Sequence, residues 1–387
     1  MYIYILILFY FSAFIIFWAM VGYPLFIITI GKLFKKRVHL KNYNFEPSVT
    51  ILVVAHNEES VIEEKLNNLC NLNYPNEKLE ILISSDNSVD KTNNIVRRFI
   101  EKNPMHNIRL YEVEERKGKT NAQNEAARTV ESELLIMTDA NSIFKNDAVN
   151  EIVSSFVSDD IKYVCGKLEY INKDKITAGM ENTYWNLDLK LREIESNIQT
   201  ITAGNGALYA VRTKDYIDIP LIESHDSSLP FKYARDRKKA VFNKDAIVYE
   251  KAGETVEDEF KRKVRMNRNI LSSLYRWIKI INIFKYKWFT IFYLGHRTSR
   301  NLLWIMHLIL LITNVVLSCQ NVYFKIILIA HIFIYLVAIF QQIFKTKIKV
   351  INLVHYYIMT IVAQWVGAIK QLFGKSKPFW DKAESTR

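Results

Sequence analysis

Asp139-Ala140-Asn141 places a carboxylate and an amide oxygen two residues apart, directly after the apolar run Leu134 to Met137. Oxygen donors so spaced on a tight loop suit a hard divalent cation that also grips a diphosphate, because Mg2+ is usually held by one or two carboxylates plus phosphate oxygens. Lys117-Gly118-Lys119 sets two ammonium groups around a glycine at the start of a helical run, where backbone N–H groups also favour phosphate. Asn57-Glu58 and Asp86 likewise follow apolar runs directly. Asp and Asn in such places also act as helix N-caps, and a KGK is also an ordinary surface charge run. Three polar positions in register favour a site.

The elements that must position these residues are legible in the first half of the chain. Ser48 to Ala55 reads as a buried strand, Glu58 to Leu72 as a helix and Leu79 to Ser84 as a strand. Asp90 to Lys102 reads as a helix, Ile108 to Val113 as a strand, Lys119 to Val130 as a helix and Leu134 to Met137 as a strand. This βαβαβαβ order predicts an α/β domain with a mostly parallel sheet covered on both faces, with ligands at the carboxyl ends of its strands. All three polar positions then converge on one sheet edge. Neither GxxxxGK[ST] nor GxGxxG occurs, which argues against a P-loop or dinucleotide site. Asp86 to Asp90 starts like a calcium loop, but Lys91 and Arg97 stand where that loop needs Gly and Glu.

The rest of the chain is written for a second solvent. Residues 1 to 31 contain no charged residue or histidine, longer than the ~20 apolar residues a helix needs to cross a bilayer. The basic cluster Lys32, Lys35, Lys36, Arg37 and Lys41 comes after this run, unlike a secretory signal, which predicts a retained anchor with the middle of the chain in the cytosol. Three apolar segments close the sequence, about Leu302 to Ser318, Ile326 to Phe344 and Val350 to Phe373. The third carries His355, Gln364 and Lys370 and is followed by a basic tail, so both a full crossing and a re-entrant or interfacial helix stay open.

The formal charge is +12, from 52 Lys and Arg against 40 Asp and Glu, and no acid occurs between Glu259 and Asp381. Within that stretch, Lys261 to Arg300 interleaves basic residues with Trp277, Phe284, Tyr286, Trp288, Phe289, Phe292 and Tyr293. This is the composition of a helix at an anionic headgroup layer, and the flanking spans make lipid, not nucleic acid, the expected partner. Cys70, Cys165 and Cys319 show no metal or disulfide spacing. The expected segments are an anchor over 1–37, a cytosolic domain over 38–255, interfacial helices over 256–300, spans over 301–373 and a tail over 374–387, in a multi-pass inner-membrane protein.

The ordered motifs Ala55-His56-Asn57-Glu58-Glu59, Ser85 to Thr92, Arg116-Lys117-Gly118-Lys119 and Thr138-Asp139-Ala140-Asn141 resemble the nucleotide-sugar half of inverting family 2 glycosyltransferases. Membrane members of that family include hyaluronan, chitin, cellulose and poly-N-acetylglucosamine synthases. The resemblance continues through Glu181 to Trp185, Gly204 to Arg212 and His225-Asp226-x-x-Leu229-Pro230, and covers about Val49 to Arg268. It implies a GT-A fold, a nucleotide-sugar donor, a glycan or lipid-linked acceptor, and Mg2+ or Mn2+. By position it assigns Ala55, Glu58 and Asp86 to the nucleoside, with Asn57 beside them, Lys119 to the phosphates with Lys117, and Asp139 with Asn141 to the metal. Gly204, Asn205 and Gly206 fall on the acceptor side, and Asp226 as general base. Trp185 either packs its helix or stacks on an acceptor sugar.

This sequence also departs from the family. Asn141 stands where Asp is common, which predicts weaker metal affinity, and His225 replaces the acid that usually precedes the base. In place of QxxRW the chain has Arg262-Lys263-Val264-Arg265-Met266, keeping only the central arginine, which counts against processive polymerisation through a channel. Arg262 and Arg265 are expected at a phosphate or a lipid headgroup. Transfer of one sugar to a polyprenyl phosphate, or a non-catalytic nucleotide-sugar-binding subunit, are the alternatives.

Overall fold

Seven residues rich in β-branched side chains, Val49–Ala55, form strand β1, and every one of them is buried. In the computed structural model residues 1–34, 40–171, 176–251, 253 and 255–379 are described, 176–184 by backbone alone. Lys35, Lys36, Arg37, Lys382 and Arg387 of the basic segments lie outside the described residues, as do the side chains of Glu181 to Tyr184. The chain divides into two units, one of Gly31–Lys173, Asn186–Gly253 and Lys377–Arg387, the other of Met1–Ile30, Asp174–Trp185 and Glu254–Ser376.

In the first unit β1 lies between β2 (Leu79–Ser85) and β4 (Leu134–Asp139), with β3 (Asn107–Glu112) outside β2, all parallel. Helices Ile62–Cys70, Thr92–Lys102 and Lys119–Ala127 make the crossovers. The one polar side chain inside β1, Thr50, gives its hydroxyl to Glu80 Oε2 at 2.7 Å, so burying it leaves no unmet donor. The first helix starts at Ile62 and not at Glu58. Asn57 takes a left-handed φ of 55°, and Val61 N and Ile62 N both turn back onto Glu58 O, which spends these residues on a turn.

Beyond β4 the sheet ceases to be parallel. Its order is β3-β2-β1-β4-β7-β6-β8-β5, with β5 at Ile143–Phe144, β6 at Ile161–Tyr170, β7 at Tyr209–Arg212 and β8 at Lys239–Glu250. β7 runs antiparallel to both β4 and β6, and β5 antiparallel to β8, while β6 and β8 are parallel. The expected mostly parallel sheet is therefore a mixed one. Period-two patterning locates a strand but carries no direction, and these partners lie far apart in sequence.

The second unit is helical. Tyr2–Leu33, Val322–Phe344 and Lys349–Leu372 are each long and apolar enough to cross a membrane, and Trp288–Asn301 with Leu303–Ser318 could make a fourth span as a pair bent by 60°. Gln364, on the third of these helices, supplies the bend. Its Oε1 accepts from Trp304 N at 3.2 Å and its Nε2 donates to Arg300 O at 3.0 Å, so it stands in for the helical bond between those two groups. A side chain inserted into the helical ladder is one of the few causes of a sharp kink, and it keeps both backbone groups satisfied. Thr255 caps the helix Val256–Met266 by accepting from Asp258 N, and three acids fill its first turn.

Candidate active site

Across the sheet, Val54 pairs with Asp139, Ala55 with Ser85, and Ser85 with Glu112. The loops after β1, β2 and β4 therefore leave at one level, the carboxyl edge. Lys119 opens its helix behind Gly118, whose φ of 96° suits glycine alone. Its Nζ forms an ion pair with the Asp139 carboxylate, and with side chains 26% and 32% exposed the pair stays open to a ligand. A Cβ on Gly206 would lie 3.2 Å from Lys119 Nζ and 3.7 Å from Asp139 Oδ2. The loop of residues 204–206 thus rests against the two charges, and a side chain at Gly206 would crowd the Lys119 ammonium.

Several predicted contact residues shape the loops that frame this pair. The Asp86 carboxylate is almost wholly buried and accepts from Lys117 N at 3.1 Å and Gly118 N at 2.9 Å, which ties the β2 edge to the KGK loop. Asn57 Oδ1 accepts from Val89 N at 2.9 Å, and Glu58, buried beside it, donates its backbone N–H to Thr92 Oγ1 at 2.8 Å. Asn205 donates to Gly166 O at 2.8 Å and accepts from Ala207 N and Leu208 N. Asp86, Asn57 and Asn205 all spend amide or carboxylate atoms on backbone, so their first contribution is to geometry. Ala55 ends β1 at the same edge.

Asp226 sits in the first turn of the helix His225–Arg235, half-buried, where the helix dipole favours negative charge. Its backbone carbonyl accepts from Gly204 N at 2.8 Å, which joins that helix to the glycine loop. A Cβ on Gly204 would come within 2.0 Å of the Tyr163 hydroxyl, so the loop can run here only as glycine. The buried Tyr209 phenol is held well above its ordinary range, by burial first and then by Tyr216, Asp226 and Asp139. Both carboxylates thus act on one buried ring. His225 Nε2 contacts Tyr216 Oη at 2.7 Å and Asn124 Oδ1 at 2.9 Å. Its pKa falls to about 3 through burial, helped by Lys119 and Lys232, so the residue before Asp226 is a neutral strut for the helix start.

One buried lysine gives no sign of its burial in composition alone. Lys65 lies on the inward face of the helix Ile62–Cys70 with Ile62, Leu66 and Leu69, and is fully buried. Its Nζ donates to Thr138 Oγ1 at 3.1 Å and Ser142 O at 2.5 Å, the residues flanking Asp139-Ala140-Asn141, and stands 4.1 Å from the Phe144 ring centre. Burial pushes its pKa down to about 7, against the pull of Asp139 and Glu250. The signal was there: a lysine at an i+3 position in an apolar stripe.

Among the described residues no three His, Cys, Asp or Glu gather as a metal cluster. The donor chemistry nevertheless fits a hard cation. Asp139 and Asn141 offer two oxygens on one turn, closed by Ser142 N donating to Asp139 O, and the Lys119 ammonium already neutralises the carboxylate as a stand-in cation. The remaining ligands would come from diphosphate and water. Trp185, Arg262 and Arg265 belong to the other unit. There Arg262 meets Glu259 in a two-pronged pair, Nε to Oε2 at 2.7 Å and Nη2 to Oε1 at 2.9 Å. Glu259 is thus one partner of this guanidinium.

Residues 50–218 match the model of glycosyl transferase family 2. The chain carries a family 2 glycosyltransferase domain. It is 32% identical over 166 residues to the probable glycosyltransferase YdaM of Bacillus subtilis (strain 168), covering 41% of this chain and 40% of that protein. It is 30% identical over 139 residues to a beta-monoglucosyldiacylglycerol synthase of Nostoc sp. (strain PCC 7120), covering 36% of this chain and 28% of that one. A poly-beta-1,6-N-acetyl-D-glucosamine synthase of Staphylococcus aureus (strain COL) is 29% identical over 134 residues, 34% of this chain and 31% of its own. In each case the similarity spans well under half of the relative. The mannosyltransferase PcManGT from Pyrobaculum calidifontis, solved in complex with GDP-Man and Mn2+, superposes with a TM-score of 0.71 at 20% identity, over 95% of this chain and 99% of that one. The family 2 domain thus has the GT-A fold, a mixed sheet with Rossmann-like crossovers.

Proposed function

We propose that this chain transfers a sugar, with inversion, from a nucleoside-diphosphate sugar to a hydroxyl of a glycan or lipid-linked acceptor at the cytosolic face of the cell membrane, in cell-surface polysaccharide or glycolipid synthesis. The observation that carries the reading is the Lys119 and Asp139 pair, open to solvent and pressed against Gly206 at the carboxyl edge of the family 2 domain. Lys119 and Lys117 hold the diphosphate, and Ala55, Asn57, Glu58 and Asp86 frame the nucleoside. The 204–206 loop sets the acceptor beside them. A Mg2+ or Mn2+ held by Asp139 and Asn141 would supply further stabilisation of the leaving diphosphate.

In the transfer, the acceptor oxygen attacks the anomeric carbon from the face opposite the diphosphate. The carbon to phosphate-oxygen bond breaks and the nucleoside diphosphate leaves with the electron pair. Asp226 takes the acceptor's proton, the part a carboxylate in the first turn of its helix can play, with Gly204 N tying the Asp226 backbone carbonyl to the glycine loop. The Arg262 pairing with Glu259 and the missing QxxRW favour single or short additions over processive polymerisation.

Membranes holding the full chain should transfer sugar from one of a panel of nucleotide sugars. Asp139→Ala and Asp226→Asn should each lower kcat by about 100-fold or more. Normal turnover by either variant removes the role given to that residue.

A further inference from the structure

We propose that Lys65 is a positioning residue for the Asp139-Ala140-Asn141 turn, its buried amino group fixing both ends of the turn and so the separation of the two oxygen donors. This rests on the proposed reading of that turn as the cation and diphosphate site. The geometry is specific: one Nζ holds the side-chain oxygen of Thr138 before the turn and the backbone carbonyl of Ser142 after it. From the other side the Ser142 hydroxyl donates to Glu250 at the end of β8. The turn is thus clamped between the helix Ile62–Cys70 and β8, while Asp139 faces Lys119.

Stability alone does not account for a lysine here. Its neighbours on the inward face are Ile62, Leu66 and Leu69, a stripe into which methionine would fit, and exchanging a buried charge for an apolar side chain of like volume is often neutral or stabilising. With Asn141 in place of a second carboxylate, the turn binds through one formal charge and one dipole. Its affinity then depends more on where the two oxygens stand, and groups that orient metal ligands typically matter by about 10- to 100-fold.

The test uses the full chain in detergent and follows Mn2+ binding by electron paramagnetic resonance with saturating UDP or GDP, alongside nucleotide affinity in metal-free buffer and the melting temperature. Lys65→Met should weaken Mn2+ binding about 10- to 100-fold and lower kcat in step, leaving metal-free nucleotide affinity and melting near wild type. Thr138→Val, which removes one of the two anchors without changing shape, should produce a smaller loss in the same direction, and it decides the matter if Lys65→Met does not fold. Unchanged Mn2+ affinity and an unchanged resonance spectrum in both variants, with Asp139→Asn still losing the metal, would overturn the role of Lys65 and leave the proposed site standing. If Asp139→Asn itself binds Mn2+ normally, the site reading fails and this inference with it.

Discussion

A single residue shows how far environment overrides type. His225 stands in a motif where an acid is common, yet it is buried, neutral and bonded to Asn124 and Tyr216. Its pKa of about 3 lies below the 6.5 of an exposed histidine, so between those values the unfolded chain binds the extra proton. Stability from this group is therefore complete above pH 6.5 and is lost as pH falls, by about 2 kcal/mol at pH 5. His225→Gln keeps a polar partner for Asn124 without a titrating ring. Its melting temperature should change less between pH 7 and pH 5 than that of the wild type, measured by thermal melts in detergent. An equal slope would show that other groups set the acid sensitivity. Lys65 teaches the same lesson, since composition counts it among 52 basic residues while burial makes it part of the frame behind the Asp139 turn.

At the scale of elements, the loops do the chemistry and the strands decide where they start. Asp139 faces outward at the edge because β4 pairs with β1 in register, a relation set by two apolar runs about eighty residues apart. In the helical unit the same division holds at Gln364. Read in sequence it weakens the case for a span; folded, it completes the hydrogen bonds of a bent neighbour. Gln364→Leu leaves Trp304 N and Arg300 O without that partner and should cost about 1 to 3 kcal/mol. Expected is a drop of a few degrees in the melting temperature of the purified protein. Catalysis in fresh membranes should fall less than in Asp139→Ala.

For the molecule as a whole, we propose that the family 2 domain lies in the cytosol and that the bent pair Trp288–Asn301 with Leu303–Ser318 crosses once, which puts the link between Leu303–Ser318 and Val322–Phe344 outside. That link contains Cys319, which is exposed, while Cys70 is half-buried and Cys165 buried within the other unit. The natural cysteines therefore report topology without engineering. A membrane-impermeant maleimide added to intact cells should label the protein at Cys319, and Cys319→Ser should abolish that labelling. Cys70 should react only after lysis. Labelling of Cys70 in intact cells would place the domain on the outer side and remove the nucleotide-sugar reading's access to a cytosolic donor.

The amino-acid sequence determined what depends on neighbours within a few residues: the buried strands Val49–Ala55 and Leu79–Ser85, the helices between them, the charge-free apolar run of residues 1–31, and the acids and lysines at strand ends. Hydrophobic period and run length are local properties, and a parallel half-sheet follows from their order. Tertiary structure alone decided the antiparallel pairing of β7, the burial of Lys65 behind the Asp139 turn, the pairing of Arg262 with Glu259, and the fit of Gly204 and Gly206 against Tyr163 and Lys119. Each of these joins atoms on separate elements, and the free energy that selects it comes from burial and hydrogen bonding across the assembled sheet or helix pair. No window along the chain contains both partners.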